Sequence, residues 1–506
     1  MTQAGTSETR SESAVEFRDV LIVGAGLSGI DAAYRLQERN PGLSYAILER
    51  RQAIGGTWDL FRYPGVRSDS DIYTLSYPFR PWDGEKSIAD GDDIRQYLVD
   101  AAAEYGIDEK IRYGVHVLSA DFDTTVDRWT VETEIDGKPV TYQARFFHLC
   151  TGYYDYDGGY TPDFAGIDRF GGQVVHPQKW PEDLDYAGKK VVVIGSGATA
   201  ITLIPSMSRD AEHVTMLQRS PTYITVLPSV DKIAHALQKR LPAPLASKII
   251  RGKNAGISLA FYLYCRRFPD SARARLRGLA KRILPDDFDV DTHFNPTYNP
   301  WDQRLCVVPD ADLFRAIKSG KAGIVTDTID SFDETGIRLS SGDHLDADVV
   351  VTATGLQLQV FGGISLAVDG EKVTPGERFL YRGRMLEGVP NFAWTFGYTN
   401  ASWTLRADLT SKAVADLLHY MDSHGYTHAY PDRGGKELPD VPMVDLSSGY
   451  VARSAGALPK ASADKPWTVR ANVVLDAIDA KRDKITESMT FGRAPKSAPQ
   501  RDAVHS

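Results

Sequence analysis

Cysteine is scarce in this chain of 506 residues, which contains only Cys150, Cys265 and Cys306. Their wide separation provides neither a C-x-x-C redox motif nor the ligand spacing of a zinc finger, so we predict no thioredoxin-like chemistry and no metal site. Isolated cysteines are typical of proteins whose thiols stay reduced, and we therefore expect a cytoplasmic location.

Excess positive charge and long apolar runs are also lacking. Lys and Arg number 58 against 67 Asp and Glu, which leaves a net charge of -9 and argues against nucleic acid as a partner. No window approaches the roughly 18 uncharged apolar residues of a membrane span. The polar start lacks the apolar core of a secretory signal and is interpreted as a disordered leader. With 42% hydrophobic and 25% charged residues, the composition is that of a globular protein, and the length predicts two or three units.

The first organised stretch, DVLIVGAGLSGIDAAYRLQER, predicts a strand, a glycine-rich turn and an amphipathic helix. Gly24, Gly26 and Gly29 form G-x-G-x-x-G, in which the glycines permit a tight turn, a close approach of pyrophosphate and close helix packing. Phosphate then meets the positive end of the helix. The next predicted strand ends in Glu49, about twenty residues on, where a carboxylate can bind ribose hydroxyls. This pattern predicts a site for FAD or NAD.

A second copy of the pattern occurs in KKVVVIGSGATAITLIP, where Gly195, Gly197 and Ala200 form G-x-G-x-x-A. Its following strand ends in Arg219 and Ser220 instead of an acid. Arginine can pair with a 2'-phosphate that a carboxylate would repel, so this site favours NADPH. A solvated surface charge is the alternative interpretation of Arg219.

Three further segments accompany the two glycine-rich turns. Apolar strands precede Thr151-Gly152 and Thr354-Gly355, and at both points we predict that the chain crosses between domains. An ordinary turn after a strand is the alternative interpretation of each Thr-Gly pair. Between Glu49 and the next helix lies GGTWDLFRYPGVRSDSDIYTLSYPFRPW, which is too rich in glycine and aromatic residues for a helix. Long ordered loops beside a cofactor are usually functional, although a packed surface loop is the alternative.

Two longer motifs carry a resemblance to a known family. Residues 170–181 read F-x-G-x3-H-x3-W-P, and residues 55–69 match [AG]-G-x-W-x4-[FY]-P-[GM]-x3-D. With YNPWDQRLCVVP and FGYTNASWTLRADL, they resemble the class B flavoprotein monooxygenases of the Baeyer-Villiger type. Within this class the chain closely resembles the ethionamide-activating monooxygenases of mycobacteria, from about residue 16 to residue 485.

The resemblance implies an α/β fold with two Rossmann-type dinucleotide-binding domains, one for FAD and one for NADP, and a helical insertion in the NADP domain. The implied boundaries are a leader at 1–15, FAD-binding parts at 16–157 and 351–485, NADP-binding parts at 158–224 and 296–350, a hinge motif at 170–181, the insertion at 225–295 and a flexible tail at 486–506.

The activity that the resemblance implies is an NADPH- and O2-dependent insertion of oxygen into ketones through a C4a-peroxyflavin, giving esters or lactones. Sulfides or thioamides are implied as further substrates. Arg304 in NPWDQRLC would supply the permanent positive charge, and Asp69 would position it. His176, with Trp180, would couple domain rotation to catalysis. Read without the family, Arg304 can equally be an ordinary salt-bridging arginine and His176 a structural hydrogen-bonding residue.

The remaining cofactor-binding residues that the resemblance implies are Ser28, Gly56, Thr57, Trp58, Asp59, Leu60, Arg67, Ser68, Val117, Ser196, Ala198 and Thr199. There is one departure from the family, because many members carry a lysine where this chain has Gln303. The NADPH preference therefore depends on Arg219 and Ser220.

Two alternatives stay open. The insertion interleaves basic and apolar residues at helical spacing with few acids, which fits either a cap over a substrate channel, as in the family, or a helix lying on a membrane surface. Rival activities are sulfur or nitrogen oxygenation without ketone oxidation, and a non-oxygenating NADPH flavoprotein. The missing C-x-x-C argues against a disulfide reductase.

Overall fold

This computed structural model describes residues 15–444, 446–454 and 456–494. The predicted leader, except for Val15, and the predicted tail from residue 495 onward lie outside the described residues. The strands are β1 Glu16–Val23, β2 Tyr45–Glu49, β3 Ile111–Tyr113, β4 His116–Asp123, β5 Arg128–Ile135, β6 Lys138–Leu149, β7 Gln173–Val175, β8 Lys190–Ile194, β9 His213–Gln218, β10 Ile224–Leu227, β11 Cys306–Pro309, β12 Ala322–Thr326, β13 Ile329–Asp333, β14 Gly336–Leu339, β15 His344–Asp346, β16 Val349–Thr352, β17 Ser365–Val368, β18 Glu371–Lys372, β19 Leu380–Tyr381, β20 Met385–Leu386, β21 Phe392–Trp394, β22 His428–Pro431 and β23 Met489–Gly492.

The helices are α1 Leu27–Arg39, α2 Thr57–Leu60, α3 Ile72–Leu75, α4 Gly91–Glu104, α5 Ala198–Met207, α6 Lys232–Arg240, α7 Ala243–Arg267, α8 Pro269–Ile283, α9 Val290–His293, α10 Asp312–Lys318, α11 Thr404–His424, α12 Gly449–Ser454 and α13 Val473–Arg482. Among the described residues, no helix combines the length and the apolar composition that crossing a bilayer demands.

A nine-stranded sheet forms the first domain, with strand order β18-β17-β4-β5-β6-β1-β2-β3 and β21 also paired with β6. Strand β1 is parallel to both β2 and β6, and α1 follows β1 directly. Helix α11 packs on α1, where Arg35 and Asp408 form a buried ion pair at 2.6 Å. The glycine-rich turn after β1 therefore lies at the carboxyl edge of a parallel β-α-β unit.

The second domain is built on a five-stranded sheet of order β12-β9-β8-β16-β7, in which every pairing is parallel. Its central strands read VVVI and VVVT and are buried, as expected for a parallel sheet covered on both faces. Helix α5 follows β8, so the second glycine turn repeats the geometry of the first.

Two connections join the domains side by side. The chain leaves the first sheet after β6 and returns after β16, next to Thr151-Gly152 and Thr354-Gly355. The amide of Asp155 donates to the carbonyl of Gln357 at 2.9 Å, and that of Tyr160 donates to Gly355 at 3.0 Å. The two segments thus form one hydrogen-bonded ribbon between the domains.

The insertion and the tail differ in detail from the sequence-based boundaries. Residues 224–227 form β10, which pairs with β11, and the helices of the insertion begin at Lys232. The prediction of a flexible tail from residue 486 is wrong for 489–492. These residues form β23, which pairs antiparallel with β22, because Phe491 packs against Tyr426 at a ring distance of 5.1 Å and gives the strand an apolar anchor.

Candidate active site

Both glycine turns open onto one cavity of about 1030 Å³. Gly24 and Gly26 line one part of it, and Gly195 and Gly197 line another. Helices α1 and α5 begin after Gly26 and Gly197, and neither helix has a side chain that caps its first turn. The N–H groups of the first turns are therefore left for an anion, as a pyrophosphate site requires.

The third position of each turn acts by packing. A Cβ on Gly29 would lie 1.9 Å from the carbonyl oxygen of Gly24, so only glycine lets α1 approach the turn this closely. Gly24 itself has φ +103°. Ala200 is fully buried in the core of the second domain. Gly29 and Ala200, which were predicted to belong to the cofactor-binding turns, do not line the cavity and act on those turns by packing.

Glu49 lies at the end of β2, beside the first turn. Its carboxylate accepts the amide of Ala25 at 2.7 Å and that of Arg51 at 2.8 Å. Burial raises the pKa of Glu49, while the two backbone donors oppose that rise. The side chain also lines the cavity, which is the position predicted for a carboxylate that binds ribose.

Arg219 and Ser220 line the cavity at the end of β9. Ser196 links this strand end to the second turn, because its Oγ donates to the carbonyl of Ser220 at 3.1 Å and lies 2.7 Å from Thr222 Oγ1. Among the described residues, no carboxylate lies within ion-pairing distance of Arg219. Gln303 reaches the same cavity.

The loop after Glu49 brings most of its predicted residues to the cavity. The lining includes Gly56, Thr57, Trp58, Arg67, Ser68 and Asp69, together with Ser28, Val117, Ala198 and Thr199 from other segments. Arg67 also forms an ion pair with Asp312 of α10. This pair ties the loop after Glu49 to the second domain.

Asp59 and Leu60 were predicted as cofactor contacts, but the structure places neither on the cavity wall. The Asp59 carboxylate is buried between Arg51 at 2.7 Å and Arg62 at 2.5 Å. Leu60 packs into the core of the second domain. Helix α2 is a single turn, so its successive side chains point in different directions and only its first residues face the cavity.

The predicted catalytic pair meets on the cavity wall. A nitrogen of the Arg304 guanidinium lies 2.7 Å from Oδ2 of Asp69, and the two side chains are 31% and 35% exposed. An ion pair this accessible to solvent adds little to stability, so its main effect is to fix the guanidinium. Next to it, burial raises the pKa of the Cys306 thiol to about 12, which keeps this cavity-lining thiol protonated.

His176 lies behind the cavity, against the ribbon that joins the domains. A Cβ on Gly159 would fall 1.9 Å from its ring, so the imidazole packs directly on the first connection. Nδ1 accepts the amide of Gln178 at 3.2 Å, whose side chain donates to the carbonyl of Asp155 at 2.6 Å. Nε2 is buried, and burial lowers the pKa of the imidazole, while the backbone of Gly355 opposes that shift.

The other members of the same motif are packing residues. Phe170 is buried, and a Cβ on Gly172 would lie 2.6 Å from its ring and 2.3 Å from the carbonyl oxygen of Asp348. Trp180 packs against the core of the second domain. The motif therefore fastens residues 170–181 to the second domain and sets His176 against the ribbon.

Comparison with known proteins assigns the chain to a family. The family described as "Flavin-binding monooxygenase-like" matches residues 17–233. The FAD-containing monooxygenase EthA of Mycolicibacterium smegmatis is 53% identical over 96% of this chain and 99% of its own length. The chain belongs to the flavin-binding monooxygenases. A second relative, the probable FAD-binding monooxygenase AlmA of Acinetobacter baylyi, is 49% identical over 90% of this chain and 92% of its own length.

Solved structures agree with the two-domain fold of this flavin-binding monooxygenase. An oxidized steroid monooxygenase bound to NADP matches with a TM-score of 0.74 and 24% identity over 94% of this chain and 100% of that one. A cyclohexanone monooxygenase from Rhodococcus sp. Phi1 bound to NADP+ matches with a TM-score of 0.72 and 19% identity over 95% of this chain and 100% of that one. The predicted fold class and family, and FAD and NADP as the cofactors of that family, are confirmed.

The monooxygenase cavity also contains residues that sequence reasoning did not assign. Trp403, at the start of α11, donates from Nε1 to Oγ of Ser28 at 2.8 Å and stacks on Tyr153 at a ring distance of 5.2 Å. All three side chains line the cavity. The stretch FGYTNASWTLRADL was noticed as part of the family pattern, and an aromatic residue just before a helix was the signal within it.

The residues present fit a dinucleotide at the first turn. Gly24 and Gly26 line the cavity, the first turn of α1 keeps its N–H groups uncapped, and the Glu49 carboxylate lies at the end of the neighbouring strand. A negatively charged pyrophosphate and a ribose are the groups that such a cradle accepts.

Proposed function

We propose that this enzyme uses NADPH and O2 to insert one oxygen atom into ketones, giving esters or lactones, and that it oxidises sulfides or thioamides in the same cavity. One observation carries the proposal. The Asp69–Arg304 ion pair lies on the wall of a cavity that both glycine turns share.

Charge explains why this pair suits the reaction. When bound, FAD supplies the redox chemistry, since it takes up hydride from NADPH and activates O2. Attack on a ketone places negative charge on the carbonyl oxygen, and a preorganised cation beside that oxygen lowers the barrier. Arginine remains protonated at any working pH, and Asp69 holds the planar guanidinium in one orientation.

Product analysis tests the proposal directly. The FAD-loaded enzyme is supplied with NADPH, O2 and a panel of linear, cyclic and aryl ketones and of sulfides, and products are identified alongside NADPH consumption. Esters or lactones are expected. Oxidation of sulfides or amines with no ester would favour the sulfur- or nitrogen-oxygenating alternative. Release of hydrogen peroxide as the sole product would favour a non-oxygenating flavoprotein.

Arg219→Ala is expected to raise KM for NADPH by about tenfold or more, because hydrogen bonds to charged groups contribute about 1.5–3 kcal/mol. A contact to the remote 2'-phosphate is made equally before and during hydride transfer, so kcat is expected to change little. Steady-state kinetics with NADPH and NADH check this result. NADH, which lacks the phosphate, is the internal control, and an unchanged preference between the two would show that another residue selects NADPH.

His176→Ala is expected to leave FAD bound and reducible while a larger share of the consumed NADPH ends as hydrogen peroxide. The ring packs on Gly159 in the connecting ribbon, so its loss is expected to loosen the contact between residues 170–181 and the ribbon that joins the domains. The measurement is the ratio of ester to peroxide per NADPH. His419→Ala, at an exposed position of α11, is the control. Wild-type coupling in His176→Ala would remove the proposed hinge role.

A further inference from the structure

Exposed apolar side chains are concentrated on one part of the surface. Of fifteen large apolar side chains that are exposed among the described residues, nine lie on α6, α7, the residue between α7 and α8, and α13. Scattered single residues of this kind are normal, but a cluster marks an interaction surface. Six of them define what we call the α7–α13 face: Leu245, Ile249 and Leu263 of α7, and Val474, Leu475 and Ile478 of α13.

The three residues of α7 share one side of the helix. Leu245, Ile249 and Leu263 recur with Gly252 and Gly256 at steps of three, four or seven residues, which is the spacing of a single helix face. A Cβ on either glycine would meet nothing within 4 Å, so this side of the helix is open along its middle.

The opposite side of α7 is anchored, which fixes the direction of the exposed side. Arg251 donates to the carbonyl of Tyr73 at 2.7 Å and to that of Ser76 at 2.5 Å. Asn254 donates to Oδ1 of Asp71 at 3.0 Å. Because these contacts hold α7 on the first domain, its apolar side cannot turn inward without breaking them.

Helix α13 packs against α7 and keeps its carboxylates turned away from its exposed residues. Asp476 accepts a hydrogen bond from the hydroxyl of Tyr398 at 2.6 Å, and Asp479 accepts one from Arg470 at 2.6 Å. Both carboxylates are therefore held by these hydrogen bonds and are not directed toward the exposed apolar side chains of α13.

The charge of the residues around the α7–α13 face indicates which kind of partner it binds. Residues 232–283 contain five lysines and eight arginines against the single acid Asp270, although the whole chain carries -9. Lys239, Arg240, Lys248 and Arg267 are exposed, and no carboxylate in the described part of the chain pairs with them. A second copy of the chain would bring two basic surfaces together, so the charge disfavours self-association.

We propose that the α7–α13 face docks on the surface of an anionic lipid bilayer, with its apolar side chains in the interface and the neighbouring cations on lipid head groups. The residues that line the cavity favour a docking role for the insertion over a role as a cap on the substrate channel. No residue between 225 and 295 lines the cavity, so the insertion is free to serve another surface. The proposal does not depend on which substrate is oxygenated.

Vesicle sedimentation of the full-length, FAD-loaded protein tests the proposal. Binding is expected with vesicles of phosphatidylglycerol and phosphatidylcholine, weakened by added salt, and not with phosphatidylcholine alone. Ile249→Asp combined with Leu263→Asp is expected to weaken binding by at least about tenfold. Lys239→Gln and Lys248→Gln are each expected to weaken it by about fivefold, since one charge near the surface contributes about 1 kcal/mol.

The matched control is Val126→Asp, at a side chain that is 52% exposed in the turn between β4 and β5. FAD content and NADPH oxidation are measured in every variant to confirm folding, and the lysine variants keep the test valid if the aspartate pair does not fold. The proposal is overturned by equal binding to uncharged vesicles, by no binding to either kind, or by variants that bind like the parent. It is also overturned if, without lipid, sedimentation velocity reveals a dimer that the aspartate pair dissociates.

Discussion

Arg304→Ala is expected to lower the rate of ester formation by about a hundred- to a thousandfold while FAD stays bound. Losing one preorganised donor at a developing oxyanion typically costs about 2.7–4 kcal/mol. The ion pair with Asp69 is partly exposed, so its loss is expected to leave folding nearly unchanged. Rapid mixing measures flavin reduction by NADPH, and product analysis measures oxygenation of the ketone. Only the rate of oxygenation is expected to fall.

Two further variants make this result specific. Arg304→Lys is expected to restore little activity, because an ammonium group cannot reproduce the planar fork that Asp69 orients. Arg80→Ala removes an arginine of similar exposure that pairs with Glu104 away from the cavity, and it should keep full activity. Ester formation at the parental rate in Arg304→Ala would mean that another cation stabilises the charge.

Gly29→Ala is expected to abolish FAD binding, the second largest effect among these variants. The new methyl group would lie 1.9 Å from the carbonyl oxygen of Gly24, so α1 or the turn must shift. Overpacking of this kind typically destabilises the fold by about 1–3 kcal/mol. The displaced turn would also lose its fit to a pyrophosphate. Absorbance of the bound flavin in the purified protein, together with thermal unfolding, measures both effects.

Gly278→Ala provides the matched control for that change. Gly278 lies within α8, and a Cβ there would meet nothing within 4 Å. Alanine is better than glycine inside a helix by about 0.8–1 kcal/mol, so this variant should keep FAD and unfold at the same or a higher temperature. Normal flavin content in Gly29→Ala would show that the turn tolerates a shift and that the close packing is not required.

The sequence by itself determined the features whose constraints are local. Each glycine turn needs small residues at fixed offsets between a buried strand and a helix, so the pattern predicted that Gly24, Gly26, Gly195 and Gly197 lie in strand-to-helix turns, and the structure has them there. The positions of Glu49 and Arg219 beside these turns could also be predicted, because the end of a strand fixes where its last side chains lie relative to the neighbouring turn. The two crossings were marked by apolar strands that end in Thr-Gly.

Only the tertiary structure decided which distant residues meet and which way short elements face. Ser28 and Trp403 are 375 residues apart in the chain and touch because α11 packs on α1. A motif specifies residue types but not the direction of each side chain, so it could not separate Thr57, which faces the cavity, from Leu60, which faces a core. The amphipathic pattern of α7 likewise predicted a helix. The contacts of Arg251 and Asn254 decided which side of that helix is buried and which is left exposed.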